Sequence, residues 1–179
     1  MLFDHFSVLL LLDLSAAFDT TEHQILLSRL EIVFSIRFTA LQWFRSYLLD
    51  RNKCIVVNCS AYSSSPPMFG VPQGSVLGRE LFVLYTTSLS DIIANHSVNH
   101  QLFADDTQLQ NSTPSNDVQS LTRDPQTSTD EIKVWMCNNQ LKRNEDKTEA
   151  ILFSTHFLSS CHCLPSSVMV GTHEIVFSY

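Results

Sequence analysis

Residues 6–14 (FSVLLLLDL) constrain the fold more than any other stretch of this chain. They are almost wholly apolar, show no alternation, and close on an acid. The apolar run at 8–12 is far too short to cross a bilayer, which takes about 20 residues. A short apolar run without alternation suits a strand covered on both faces. A core must therefore form around this segment, with Asp13 held at the carboxyl end of a central strand.

The rest of the chain mixes helical and extended patterns. The spacing of Leu26, Leu30 and Val33 predicts a helix over 22–34, and that of Leu41, Phe44 and Leu48 one over 39–49. Residues 53–58 (KCIVVN) read as a strand and 61–68 (AYSSSPPM) as a loop. Residues 70–78 (GVPQGSVLG) hold three of the four glycines in the chain, so the backbone there must bend or approach something closely. A helix follows over 81–94. Residues 101–104, the pair Asp105–Asp106, and 107–110 read as strand, tight turn, strand. Residues 111–128 are polar, contain Pro114 and Pro125, and read as a flexible segment. Ser128 and Glu131 have capping-box spacing and open a helix to about residue 138. Residues 150–154 form a strand, and 168–170 with 174–177 a hairpin about Gly171. There is no internal repeat and no strict βαβ alternation, which gives an α+β class.

Three acids thus fall where strands end or turn: Asp13, Asp105 and Asp106. Phosphoryl transfer asks a protein mainly for positioning and charge neutralisation. Divalent ions do this when held by a few carboxylates, because hard cations such as Mg²⁺ take oxygen ligands. Taken alone, an Asp-Asp pair is more often a solvated turn. The surroundings change that balance. The segments LLDLSAAFD (11–19), GVPQGSVLG (70–78) and FADD (103–106) occur in this order. They resemble the central palm motifs of reverse transcriptases from LINE-type (non-long-terminal-repeat) retrotransposons. TALQWFRSYLLDR (39–51), LYTTSLSDII (84–93) and NQLKRNEDKTEAILF (139–153) extend the likeness from about residue 10 to residue 153.

The resemblance implies an RNA-directed DNA polymerase palm: a central antiparallel sheet with helices packed on one face. It implies two Mg²⁺ ions, replaceable by Mn²⁺, on Asp13 and Asp105, with Asp106 supporting the site. Lys147 would lie near the triphosphate. Phe18 would lie beneath the incoming sugar and exclude a 2′-hydroxyl; without the motif it is ordinary core packing. Gln73 and Gly74 would position template and nucleotide. The partners implied are an RNA template, a DNA primer and deoxynucleoside triphosphates, with no membrane.

On this reading residues 1–179 are one partial reverse transcriptase domain. Its palm core covers about 6–155, and 156–179 form a degenerate C-terminal part. Fingers and thumb would come from a longer parent protein. Composition argues against a free-standing nucleic-acid binder, while a polymerase fragment still fits if its basic parts lie elsewhere in a longer chain. The net charge is −7, with 11 basic residues against 18 acidic ones, and nucleic-acid binders usually carry a basic field. Five cysteines in no disulfide pattern suit reduced thiols and an intracellular, non-secreted protein. Cys161, His162 and Cys163 lack the spacing of structural zinc ligands.

Several residues depart from the family pattern. Ser35 and Phe38 stand where relatives tend to have glycine. Arg79 and Glu80 replace Pro and an apolar residue, and charges packed inward would be costly. Pro125 should break a helix that relatives have. The rival reading is therefore a truncated, inactive remnant or a non-catalytic interaction fragment.

Overall fold

A computed structural model describes residues 5–49, 53–57, 60–65, 69–72, 74–114, 117–154 and 164–178. The chain divides into two compact units, Met1–Ser15 with Ser88–Tyr179, and Ala16–Thr87.

The first unit is built on a four-stranded sheet in the order β4-β5-β1-β6. Its strands are β1 (His5–Ser15), β4 (Asn99–Phe103), β5 (Asp106–Pro114) and β6 (Lys142–Phe153). Each neighbouring pair is antiparallel. The apolar run at 6–14 is indeed central, flanked by β5 and β6. It is not covered on both faces. Phe6, Val8, Leu10, Leu12 and Leu14 are buried, whereas Ser7, Leu9, Leu11 and Asp13 are only half-buried. The buried side chains follow the period of two of a pleated strand, so one face meets the core and the other lines a cleft.

Helix α5 (Val118–Asn138) lies against β1, β5 and β6. Its inward stripe is Leu121, Pro125, Ser128, Thr129, Ile132, Trp135 and Met136, which is helical spacing along one face. Two expectations fail here. The helix starts ten residues before Ser128, with Asp117 as its cap accepting from the Ser120 amide at 3.3 Å. It also runs through Pro125, which is buried. Asn111 reaches from β5 to the Ser120 carbonyl at 2.9 Å, so tertiary packing fixes a turn that the polar sequence hides. Within the segment read as flexible, residues 111–114 close β5 and 118–128 open α5. β6 is likewise longer than the strand read at 150–154.

The expected hairpin about Gly171 is present as β7 (Ser167–Val170) and β8 (His173–Val176). Val168 and Val170 are buried, and the Arg143 guanidinium donates to the Val170 carbonyl at 3.0 Å.

The second unit holds α1 (Ala17–Thr20), α2 (His23–Ile32), α3 (Phe38–Leu49) and the hairpin β2 (Lys53–Val57) with β3 (Ser60–Ser65). The loop read at 61–68 is thus strand up to Ser65. Helix α4 (Gly78–Ala94) begins in this unit and ends in the first. Arg79 and Glu80 sit exposed in its first turn, so the burial cost attached to them does not arise. Tyr85 and Phe82 are fully buried. The Arg29 guanidinium stacks 4.9 Å over the Tyr85 ring and donates to the Tyr85 carbonyl. Burial pushes the Arg29 pKa down and the Tyr85 pKa up.

Candidate active site

Asp13 lies on the half-open face of β1, with its side chain 16% exposed. The β4–β5 hairpin closes through Ala104 and Asp105, because Phe103 pairs with Asp106. The turn is therefore one residue earlier than the Asp-Asp pair itself. Ala104 has φ 54, a left-handed conformation that lets the chain reverse in two residues. Leu12 pairs with Thr107, so the register sets the hairpin tip beside Asp13.

As a result Asp13, Asp105 and Asp106 line one open cleft of about 570 Å³. Lys147 from β6 lines it too, with Nζ 3.5 Å from Asp13 Oδ2. Two further acids, Asp146 and Glu149, share the cleft and were not singled out from the sequence. Their signal was weak: β6 was read as starting only at residue 150, which left both in an undefined stretch. Asn144 was missed for the same reason; its Nδ2 donates to Asp13 Oδ2 at 3.1 Å.

Five carboxylates facing one ammonium make a strongly cation-attracting cleft. The donors are oxygen only, the set that suits a hard divalent ion and excludes soft-metal chemistry. Among the described residues, no three His, Cys, Asp or Glu side chains converge tightly enough to form a ready-made metal cage. Mg²⁺ sites commonly complete their shell with water and substrate phosphates, so such openness fits the donor chemistry.

The other expected site residues belong to the second unit. Phe18 is half-buried in α1, its ring 4.9 Å from that of Phe82. Gly74 is exposed with φ 74, and Gln73 lies outside the described residues. The glycine cluster has a local cause. Gly70 has φ 91, and a Cβ there would stand 3.1 Å from the carbonyls of Phe18 and Asp19. The Gly70 amide donates to the Thr21 carbonyl at 2.7 Å, and the Val71 amide to that of Phe18 at 2.7 Å. Buried His23 hydrogen-bonds the Gly70 carbonyl through Nε2 at 2.7 Å. At Gly78 a Cβ would meet the Pro72 carbonyl at 2.8 Å. The loop is thereby laced to the segment that carries Phe18.

No curated protein matches the sequence significantly. Among solved structures, the chain is similar to telomerase from Candida albicans in complex with a TWJ fragment of telomeric RNA. The TM-score is 0.64 at 13% identity, covering 95% of this chain and 29% of that one. Apo telomerase from Candida tropicalis truncated from its C-terminal domain gives a TM-score of 0.63 at 13% identity, covering 96% and 34%. The chain spans about a third of these relatives' length, and at such identity the likeness establishes the fold, that of a polymerase palm. Residues 5–173 match the reverse transcriptase (RNA-dependent DNA polymerase) family. With nearly its whole length inside that match, the chain belongs to the reverse transcriptase family.

Proposed function

We propose that this chain is the palm part of a LINE-type retrotransposon reverse transcriptase, serving RNA-templated nucleotidyl transfer onto a DNA primer. The observation that carries the reading is the meeting in one cleft of Asp13 from β1 with Asp105 from the β4–β5 turn and Asp106 at the start of β5. The LINE-type assignment rests on the resemblance of the three motifs and their intervening segments. Asp13 and Asp105 would hold two divalent ions, Mg²⁺ or in its place Mn²⁺, with Asp106 supporting them. Bound there, the ions would neutralise phosphate charge and lower the pKa of the attacking hydroxyl. Lys147 would set a positive charge at the triphosphate. Phe18, Gln73 and Gly74 would shape the nucleotide and template pocket. Residues 1–179 then form a partial reverse transcriptase domain, with the palm core over about 6–155. The remaining parts come from a longer intracellular parent protein.

Mn²⁺ titration followed by electron paramagnetic resonance tests the metal assignment. Weak binding is expected for the wild type, and its loss in the Asp13→Asn, Asp105→Asn double variant. Equal binding by both would remove the site. The rival reading is an inactive remnant. The net charge of −7 and the non-glycine residues Ser35 and Phe38 in left-handed backbone favour it. Primer extension by a chain that includes the flanking regions, sensitive to Asp105→Asn, decides between the two.

A further inference from the structure

The pairing of β1 with β6 is irregular at one place. Between the pairs Leu11–Glu149 and Asp13–Asn144, β1 advances two residues while β6 covers five. Three residues are thus extruded from β6, and the Thr148 hydroxyl donates to the Asn144 carbonyl at 2.9 Å across the bulge. Bulges re-aim side chains. Here two of them converge on one atom. Asn144 Nδ2 and Lys147 Nζ stand 3.1 and 3.5 Å from Asp13 Oδ2. Lys147 is the single cation among the cleft's lining residues, against five carboxylates.

We propose that the β6 bulge supplies a resident counter-ion. Lys147 neutralises Asp13 while the cleft holds no divalent cation, and an incoming cation must displace it. This deepens the metal-binding reading above and rests on it. The physical need is plain. Asp13 is mostly shielded from water and shares its cleft with four other acids, so a nearby ammonium offsets repulsion between like charges. Asn144 donates a hydrogen bond, which fixes the carboxylate without cancelling its charge. The ammonium cancels it, yet is 69% exposed and free to swing out on its four-carbon stem. An exposed partner of this kind competes weakly, so the effect on cation affinity is a few-fold rather than absolute.

The test is Mn²⁺ affinity of the 179-residue chain, read as free Mn²⁺ by electron paramagnetic resonance. Lys147→Met should tighten binding by about two- to five-fold. Lys147→Arg should restore wild-type affinity. Lys142→Met makes the same change in net charge outside the cleft and should leave affinity unchanged. Adding Asp13→Asn to Lys147→Met should erase the gain. Equal affinity of Lys147→Met and wild type, or a gain that survives Asp13→Asn, overturns the counter-ion while the metal site stands if wild-type binding needs Asp13. Absence of Asp13-dependent binding in every variant overturns both readings together.

Discussion

Phe38 carries a conformation that its side chain opposes. Its φ is 54 and that of Ser35 is 55, and L-residues pay about 1–2 kcal/mol for the left-handed region. Glycine does not, and both positions are those where the resemblance places glycine. Phe38 is 83% exposed, so removing its ring forfeits little packing. Phe38→Gly should therefore stabilise the chain by about 1 kcal/mol, after allowing for glycine's extra freedom when unfolded. Urea melts would show it as a higher midpoint at unchanged slope; a lower midpoint would mean that the ring packs after all. Phe18 poses the opposite question. Its ring touches Phe82, so Phe18→Ala costs stability whichever role it has. In a chain with the flanking regions present, Phe18→Ala should also relax discrimination against ribonucleotides where the ring serves as a sugar gate. Unchanged selectivity with lowered stability would return Phe18 to packing alone. The three acids that share the cleft were singled out by the resemblance of their motifs, since strand end and turn alone left the Asp-Asp pair a solvated turn. The left-handed Ala104 was not, since alanine carries no mark of such a conformation.

Elements were legible where apolar periodicity was strong and obscure where polar residues do the packing. β1, α2, α3 and the Gly171 hairpin came out of pattern alone. The first half of α5 did not, because between Leu121 and Ile132 its buried positions are Pro125, Ser128 and Thr129, which carry no apolar periodicity. β6 was hidden for a related reason. Its first half, KRNEDK, is charged and carries a bulge, so no alternation survives to be read. Pro125 allows a quantitative check. A proline inside a helix costs about 3 kcal/mol through its missing donor and its clash with the preceding turn. Replacing it by alanine also removes two buried methylene groups, at about 0.8 kcal/mol each. The helical gain is the larger of the two. Pro125→Ala should stabilise the fold by about 1 kcal/mol, measured by thermal or chemical melting. Destabilisation would show that the buried ring fills space that the helix cannot close.

At the scale of the whole molecule, charge and extent bear on what these 179 residues can do alone. In the proposed function the acids that line the cleft serve nucleotidyl transfer. Chemistry of this kind still needs the primer end held in line with the triphosphate, and such positioning accounts for roughly 7–11 kcal/mol of a barrier. The chain covers only 29–34% of the two telomerase chains described above. In the proposed function the groups that grip primer and template lie in the rest of the parent protein. Attraction is lacking as well. Drawing a duplex in requires clustered Lys and Arg to neutralise its phosphates, whereas here 11 basic residues face 18 acidic ones. Divalent ions would offset charge inside the cleft but not across the remaining surface. Purified chain given an annealed RNA template, DNA primer, deoxynucleotides and Mg²⁺ should therefore leave the primer unextended, on a denaturing gel, at low as well as moderate salt. Low salt is the stringent condition, because it strengthens any residual phosphate contact. Extension that vanishes with Asp105→Asn would show that positioning and attraction are both supplied within these residues, and that the cleft works without its neighbours.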